Sequence, residues 1–398
     1  MSYKKVKISD IGKIVSGATP KTKDVDNYGG SIAWITPADL SGYTSKYISH
    51  GSRNITQKGY DSCSTHLMPR GTVLFSSRAP IGYVAIAENP ICTNQGFKSI
   101  VPNDDIDSEF LYYQLQYLRK KIQEKGSGTT FKEISGKVLG ETDIVVPSLE
   151  EQSRIVAHIE ELFSELDKAV DTLKTTKEQL ELYRQAVLVD IFSQEHPLRQ
   201  LKEISVALSG FAFKSKNYTP DGKYTVIKIG NVKDGYLDFS RDKTRTNEVT
   251  DRILQKYLLK QGDCLITLTG TRGKRDYGFV SMIERQTDYL LNQRVAALRF
   301  DTMIALPEFF RYYLSSLNYR NQFFKYETGN VGQGNVGIKA LCEPAVPCPP
   351  LDTQKKIVDQ ISDRLSVCDS IEKTVDTALA QADAMRQSIL KQAFEEKI

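Results

Sequence analysis

The feature that most limits how this chain can fold is that it repeats itself. Residues 147–167 read PSLEEQSRIVAHIEELFSELD and residues 349–369 read PPLDTQKKIVDQISDRLSVCD, at a constant offset of 202. Pro147 meets Pro349, Leu149 meets Leu351, Gln152 meets Gln354, Ile155-Val156 meets Ile357-Val358, and Asp167 meets Asp369. The offset still holds where Arg184-Gln185, Leu188 and Phe192 meet Arg386-Gln387, Leu390 and Phe394. An ungapped match this long marks two copies of one structural unit.

Both copies read as long helices. Apolar or small residues fall at Ile155, Ile159, Leu162, Leu166, Ala169, Leu173, Leu180, Tyr183 and Val187 in the first. In the second they fall at Ile357, Ile361, Cys368, Ile371, Val375, Ala378, Ala382, Met385 and Ile389. The alternating steps of three and four are the a/d seam of a coiled coil, interrupted at Thr176 and Arg364. Neither stretch holds an internal Gly or Pro, and each starts just after a proline. About 45 residues make a rod of roughly 67 Å. A lone rod would expose its seam. The two are therefore expected to pair antiparallel, with a pseudo-twofold relation and one globule at each end.

The globules repeat more loosely. Val6–Gly17 resembles Arg199–Gly210, each ending in Ser-Gly, and Arg70–Phe75 parallels Gln261–Ile266 as a turn leading into a strand. Asn94-Gln95 parallels Asn292-Gln293, and Glu109-Phe110 and Glu308-Phe309 open aromatic-rich helices. Glycine loops follow those helices, at 126–131 and 329–335. Short strands with a few helices imply an α+β fold.

Chemistry is conspicuous by absence. Gly270-Thr271-Arg272-Gly273-Lys274 has neither the spacing nor the Ser/Thr of a nucleotide loop, and Asn89-Pro90-Ile91-Cys92 lacks the second proline and the aromatic of an amino-methyltransferase motif. The six cysteines form no C-x-x-C pair and only four histidines exist, so neither a zinc site nor a disulfide framework is expected. No apolar run is long enough to span a bilayer and no signal peptide is visible, so a cytoplasmic, metal-free and non-catalytic protein is expected.

Charge points elsewhere. The net +4 divides into +4 for residues 1–148, −6 for 149–195, +8 for 196–348 and −2 for 349–398. Basic globules with acidic spacers suggest a polyanion held at two places. Its candidate contacts lie in the glycine-turn loops. Ser76, Ser77 and Arg78 end one strand, and Thr269, Thr271, Arg272, Lys274 and Arg275 lie in the matching stretch. Hydroxyls suit phosphate oxygens, and arginine can grip guanine O6 and N7 together. Lys21 and Lys23 match Lys214 and Lys216 after the Ser-Gly turns, where phosphate contact is natural. Asn94, Gln95, Asn292, Gln293 and Arg294 carry groups able to read base edges. The plain alternative for each is a turn-capping hydroxyl or a structural amide.

The arrangement resembles the specificity subunit of type I restriction–modification systems, over the whole chain. The P-x-L-x-x-Q-x-x-I-V start of each rod carries the likeness, at Pro147–Val156 and Pro349–Val358. The resemblance implies two target-recognition domains, 1–148 and 197–348, and two spacer helices, 149–196 and 349–398. It further implies an asymmetric bipartite DNA site. Two adenine-methyltransferase subunits and two restriction/translocase subunits would be partners, and S-adenosylmethionine, ATP and Mg would belong to them. A competing expectation is a coiled-coil scaffold whose basic globules bind proteins only.

Overall fold

Two long helices, Leu149–Phe192 and Leu351–Lys391, organise the computed structural model, which describes residues 4–128, 132–330 and 332–396. Among those residues, no helix is long and apolar enough to cross a membrane. The chain divides into two compact units, Met1–Leu173 with Asp376–Ile398, and Lys174–Val375. Each unit holds one globule, the start of one long helix and the end of the other.

The helices begin where the sequence places their caps. Ser148 Oγ accepts the Glu151 N–H (3.4 Å), with Glu150 and Glu151 in the positively polarised first turn. The Pro350 carbonyl accepts the N–H groups of Thr353 (2.9 Å) and Gln354 (3.0 Å).

One residue per copy then fastens helix to globule. Gln152 is fully buried. Its Oε1 accepts the Asp107 N–H (2.8 Å), and its Nε2 donates to the carbonyls of Asp105 and Pro147, both at 3.0 Å. Gln354, equally buried, accepts from Leu306 N–H (2.7 Å) and donates to Ile304 (2.8 Å) and Pro349 (2.7 Å). Asp107 and Leu306 are the caps of the aromatic-rich helices Ser108–Glu124 and Pro307–Ser315. The second of these stops early. Ser316 turns extended there, and its hydroxyl caps a separate helix, Leu317–Phe323.

Apolar packing completes each unit. In the first, Ile155, Ile159 and Phe163 share a core with Phe110, Leu111, Leu390 and Phe394. In the second, Val187, Leu188 and Phe192 share one with Phe309, Tyr313, Ile357 and Ile361. Edge-to-face pairs recur across the repeat, Phe394 on Phe110 (5.6 Å) and Phe192 on Phe309 (5.4 Å). The helices run antiparallel within each unit. Arg184 pairs with Asp369 (2.7 Å) and Glu372 (2.8 Å), and Arg364 with Asp190 (3.0 Å). Arg386 pairs with Asp167 and covers the Phe163 ring at 5.1 Å. The expected seam is broader than an a/d stripe. Ile155, Ile159, Val187, Ile357, Ile361, Val375 and Ala382 are buried, yet Ala169, Tyr183, Ile371 and Met385 are exposed. Val156, Phe163, Leu188 and Leu365, off the stripe, are buried instead, because the helix ends also pack on the globules.

The globules share an antiparallel core sheet. In the first, the order is Gly12–Ser16, Lys98–Pro102, Val73–Phe75, Val84–Ala87, with Tyr47–Ile48 added parallel at the edge. In the second it is Ser205–Ser209, Val295–Phe300, Cys264–Thr267, Val280–Met282. Each unit adds a parallel pair, Trp34–Ile35 with Cys92–Thr93, and Tyr224–Ile227 with Tyr289–Leu291. The fold is thus α+β and internally repeated.

Replacing Gln152 by Leu strands a buried N–H and two carbonyls, and about 2–4 kcal/mol of stability should go with it. Gln354→Leu should behave alike. Urea unfolding of the purified chain is the check, and a loss below about 0.5 kcal/mol would show that the amides are incidental.

Candidate nucleic-acid interface

In each unit, four loops that are separate in sequence are tied together by backbone hydrogen bonds at one end of the core sheet. In the first, the Ala18 N–H donates to Thr93 O (3.0 Å), the Ser77 N–H to Gly96 O (2.7 Å), and the Ile134 N–H to Ser77 O (2.9 Å). In the second, the Phe211 N–H donates to Leu291 O (2.9 Å), the Leu268 N–H to Arg294 O (2.9 Å), and the Val336 N–H to Leu268 O (2.9 Å). The Ser-Gly turns fit this knot closely: a Cβ on Gly17 would stand 2.2 Å from Asn94 O, and one on Gly210 1.9 Å from Asn292 O. Only glycine fits there.

The structure brings most candidates to this knot and removes two of them. Ser76 and Ser77 are fully buried. Ser76 Oγ donates to Pro80 O (2.7 Å) and accepts the Tyr83 N–H (2.7 Å), so it shapes the loop rather than meeting a phosphate. Ser77 Oγ is buried without a partner among the described residues. Thr267 repeats the Ser76 role, accepting the Phe279 N–H (3.0 Å). Arg78 is partly exposed and pairs with Glu133 (3.7 Å). Lys21 and Lys23 are exposed, on a segment held by Trp34 Nε1 donating to Ala18 O (3.1 Å) and Tyr28 Oη donating to Pro20 O (2.9 Å). Gln95 is exposed but receives the Thr19 hydroxyl, and Asn94 Oδ1 accepts the Gly96 N–H (2.8 Å).

The second unit is built on the same frame with an insertion. Ser76 matches Thr267 and Gly82 matches Gly278, since the glycine N–H donates back to the Ser76 or Thr267 carbonyl in each. Arg78 therefore aligns with Thr269, not with Arg272. Arg272 belongs to a stretch of five extra residues. Its Nη1 donates to Gly329 O (2.6 Å), while the Thr271 N–H donates to Asp276 (2.7 Å). Those bonds from Thr271 hold the Asp276 carboxyl below its ordinary range. Arg275, at φ +53°, donates to Asn321 (3.0 Å). Glu327 Oε1 accepts from the Tyr277 hydroxyl (2.8 Å) and the Gly273 N–H (3.4 Å), and burial pushes the Tyr277 phenol well up. Thr269 pairs with Asn335. Lys214, Lys216, Lys274, Gln293 and Arg294 are exposed, and Asn292 Oδ1 accepts the Gln293 N–H (2.8 Å). Thr129–Phe131 and Val331, in the two glycine loops, lie outside the described residues.

Sequence reading missed Tyr83, Thr36, Glu133 and Glu327. The first two line, with Arg78 and Asn94, a surface cavity of about 520 Å³. No local motif marks them: Tyr83 closes the loop as a bare backbone donor, and Thr36, Glu133 and Glu327 reach theirs from distant segments.

Residues 2–182 and 195–381 each match the family profile described as type I restriction modification DNA specificity domain. The chain belongs to that family. It is 46% identical over 177 residues to the type I restriction enzyme MjaIX specificity subunit of Methanocaldococcus jannaschii, covering 44% of this chain and 40% of that one. Against the EcoBI specificity subunit of Escherichia coli it is 22% identical over 422 residues, covering 99% of this chain and 85% of the other. A solved chain, described under "complex assembly and conformational transition of the type I R-M system", shares the fold at a TM-score of 0.70 and 18% identity, covering 100% of this chain and 98% of that one. Among the described residues, no cluster of three or more His, Cys, Asp or Glu side chains could hold a metal ion.

Glu327→Ala removes the acceptor shared by Tyr277 and Gly273, so the 271–275 loop should loosen. Hydrogen–deuterium exchange over residues 270–276 is expected to rise severalfold, with residues 78–83 unchanged. Equal uptake in both proteins would show that the loop is held by Arg272 and Asp276 alone.

Proposed function

We propose that this chain is the non-catalytic DNA-reading subunit of a type I restriction–modification complex, recognising a bipartite, asymmetric site with one half-site per unit. The observation that carries this reading is the duplicated loop knot, whose frame repeats while its side chains differ. The first unit offers Lys21, Lys23, Arg78 and Asn94, and the second Lys214, Lys216, Lys274, Asn292 and Arg294. Exposed cations on a repeated frame suit two stretches of one duplex, and unlike side chains suit unlike bases. The recognition domains are residues 1–148 and 197–348, and the spacer helices are 149–196 and 349–398. The acidic helix faces, with Glu150, Glu161 and Glu165 exposed, suit protein partners better than DNA.

Those partners are two adenine-methyltransferase subunits and two restriction/translocase subunits, which the chain positions on the site. S-adenosylmethionine, ATP and Mg act in them, in the cytoplasm. Membership of the type I restriction modification DNA specificity family supports this assignment.

Binding of the chain, assembled with its methyltransferase, to duplex DNA should weaken steeply with salt. The double substitution Lys214→Ala with Lys216→Ala should lower affinity similarly for all sequences and reduce the log–log salt slope by about 2. Binding that ignores salt and competitor duplex would instead favour a protein-binding scaffold.

A further inference from the structure

We propose that Arg78 and Arg294 play equivalent base-reading parts in the two units, supplied from opposite members of the pair of loops that one backbone hydrogen bond joins. The inference rests on the DNA-reading role proposed above and assigns specificity within it.

The equivalence comes from the knot. Ser77 N–H bonds to Gly96 O in the first unit, and Leu268 N–H to Arg294 O in the second. The residue after Ser77 is Arg78, and the residue after Leu268 is Thr269. The residue after the donor and the acceptor residue are thus Arg78 and Gly96 in one unit, and Thr269 and Arg294 in the other. Each unit has one arginine at this place, and each arginine stands beside an asparagine whose side-chain oxygen is already occupied, Asn94 by Gly96 N–H and Asn292 by Gln293 N–H. What remains outward is an amide NH₂ beside a guanidinium, which at Arg78 also faces Glu133 (3.7 Å). A guanidinium can take guanine O6 and N7 together.

Arg294 carries the stronger argument. It is the third residue of a turn closed by Val295 N–H donating to Asn292 O (3.3 Å), and its φ is +72°. That position of a turn favours Gly or Asn, because a Cβ there is strained. At the same place in the first unit the residue is Gly96, without a positive φ. The Arg294 side chain is exposed and makes no hydrogen bond or ion pair among the described residues, so no side-chain contact there offsets the strain. Arg272 and Arg275, by contrast, are engaged with Gly329 and Asn321. A strained, unpartnered arginine is what a site looks like when its partner is a ligand. The ligand class is a guanine-bearing base pair of the second half-site.

The test separates fold from recognition. Arg294→Gly, and Arg294→Asn as a second variant that tolerates positive φ, are introduced in the full chain within its complete complex. Methylated-base sequencing of host DNA reads the recognised site, and thermal melting of the purified chain reads stability. Arg294→Gly should raise the melting temperature while relaxing discrimination about 10- to 100-fold at a base pair of one half-site. Arg78→Ala should relax the other half-site only. A melting temperature that fails to rise, or a loss of affinity uniform across sequences with a shallower salt slope, would overturn the proposal in favour of a structural or phosphate-binding arginine. If methylation depends on this chain and both half-sites survive both variants, the assignment alone fails. If methylation persists without the chain, the DNA-reading role itself fails.

Discussion

Gln152 and Gln354 each spend a whole side-chain amide on joining a long helix to a globule. A buried amide that lost its partners would cost several times what one hydrogen bond contributes, so the geometry around it is nearly all-or-none. One end of the amide accepts from the residue that caps the aromatic helix, and the other closes on the proline that precedes the long helix. Helix start, loop and globule are thereby set in one step. The phenylalanines and isoleucines that pack below add most of the stabilisation, but they are non-directional and would tolerate a rotation that the glutamines do not.

The charged contacts between the helices play a different part. Arg184 with Asp369 and Arg386 with Asp167 are one pair copied at the 202-residue offset. These side chains are partly or mostly exposed, so each pair adds little stability. Their placement fixes register: shifting one helix by a residue or two would set Arg184 beside uncharged or like-charged neighbours. Desolvation lowers the Arg184 pKa while Asp369 and Glu372 more than restore it, so the guanidinium stays charged at any physiological pH.

What could be read in the sequence divides along the line between local and non-local causes. The helices, their proline starts, Gln152 and Gln354, and the paired glycine turns at Gly71 and Gly262 were legible, because spacing and residue type fix them locally. Both of those glycines indeed take φ +85°. The exposure of Tyr183, Ile371 and Met385 was not legible, since a heptad count assumes a single partner along the whole rod. Nor was the burial of Ser76 and Ser77, which follows from the Phe97–Gly96 turn closing over them. The pairing of Arg78 with Arg272 looked natural by order along the chain. It fails because the bonds that close the loops, Gly82 to Ser76 and Gly278 to Thr267, set Arg78 against Thr269 and leave Arg272 in the extra residues.

The five-residue insertion at 271–275 has a consequence for how such a domain can change. Its two ends are pinned by the same bonds that pin the shorter loop in the other unit, at Thr267 and Gly278 as at Ser76 and Gly82. Lengthening a loop whose ends are already closed adds little entropy cost, about 0.6 kcal/mol per doubling. The frame therefore acts as a socket. Exposed residues between the pins, such as Arg272 and Lys274, can change at little cost while Ser77, Ile81, Leu268 and Tyr277 stay in the knot and core, so the alphabet a unit reads can drift while its architecture stands still.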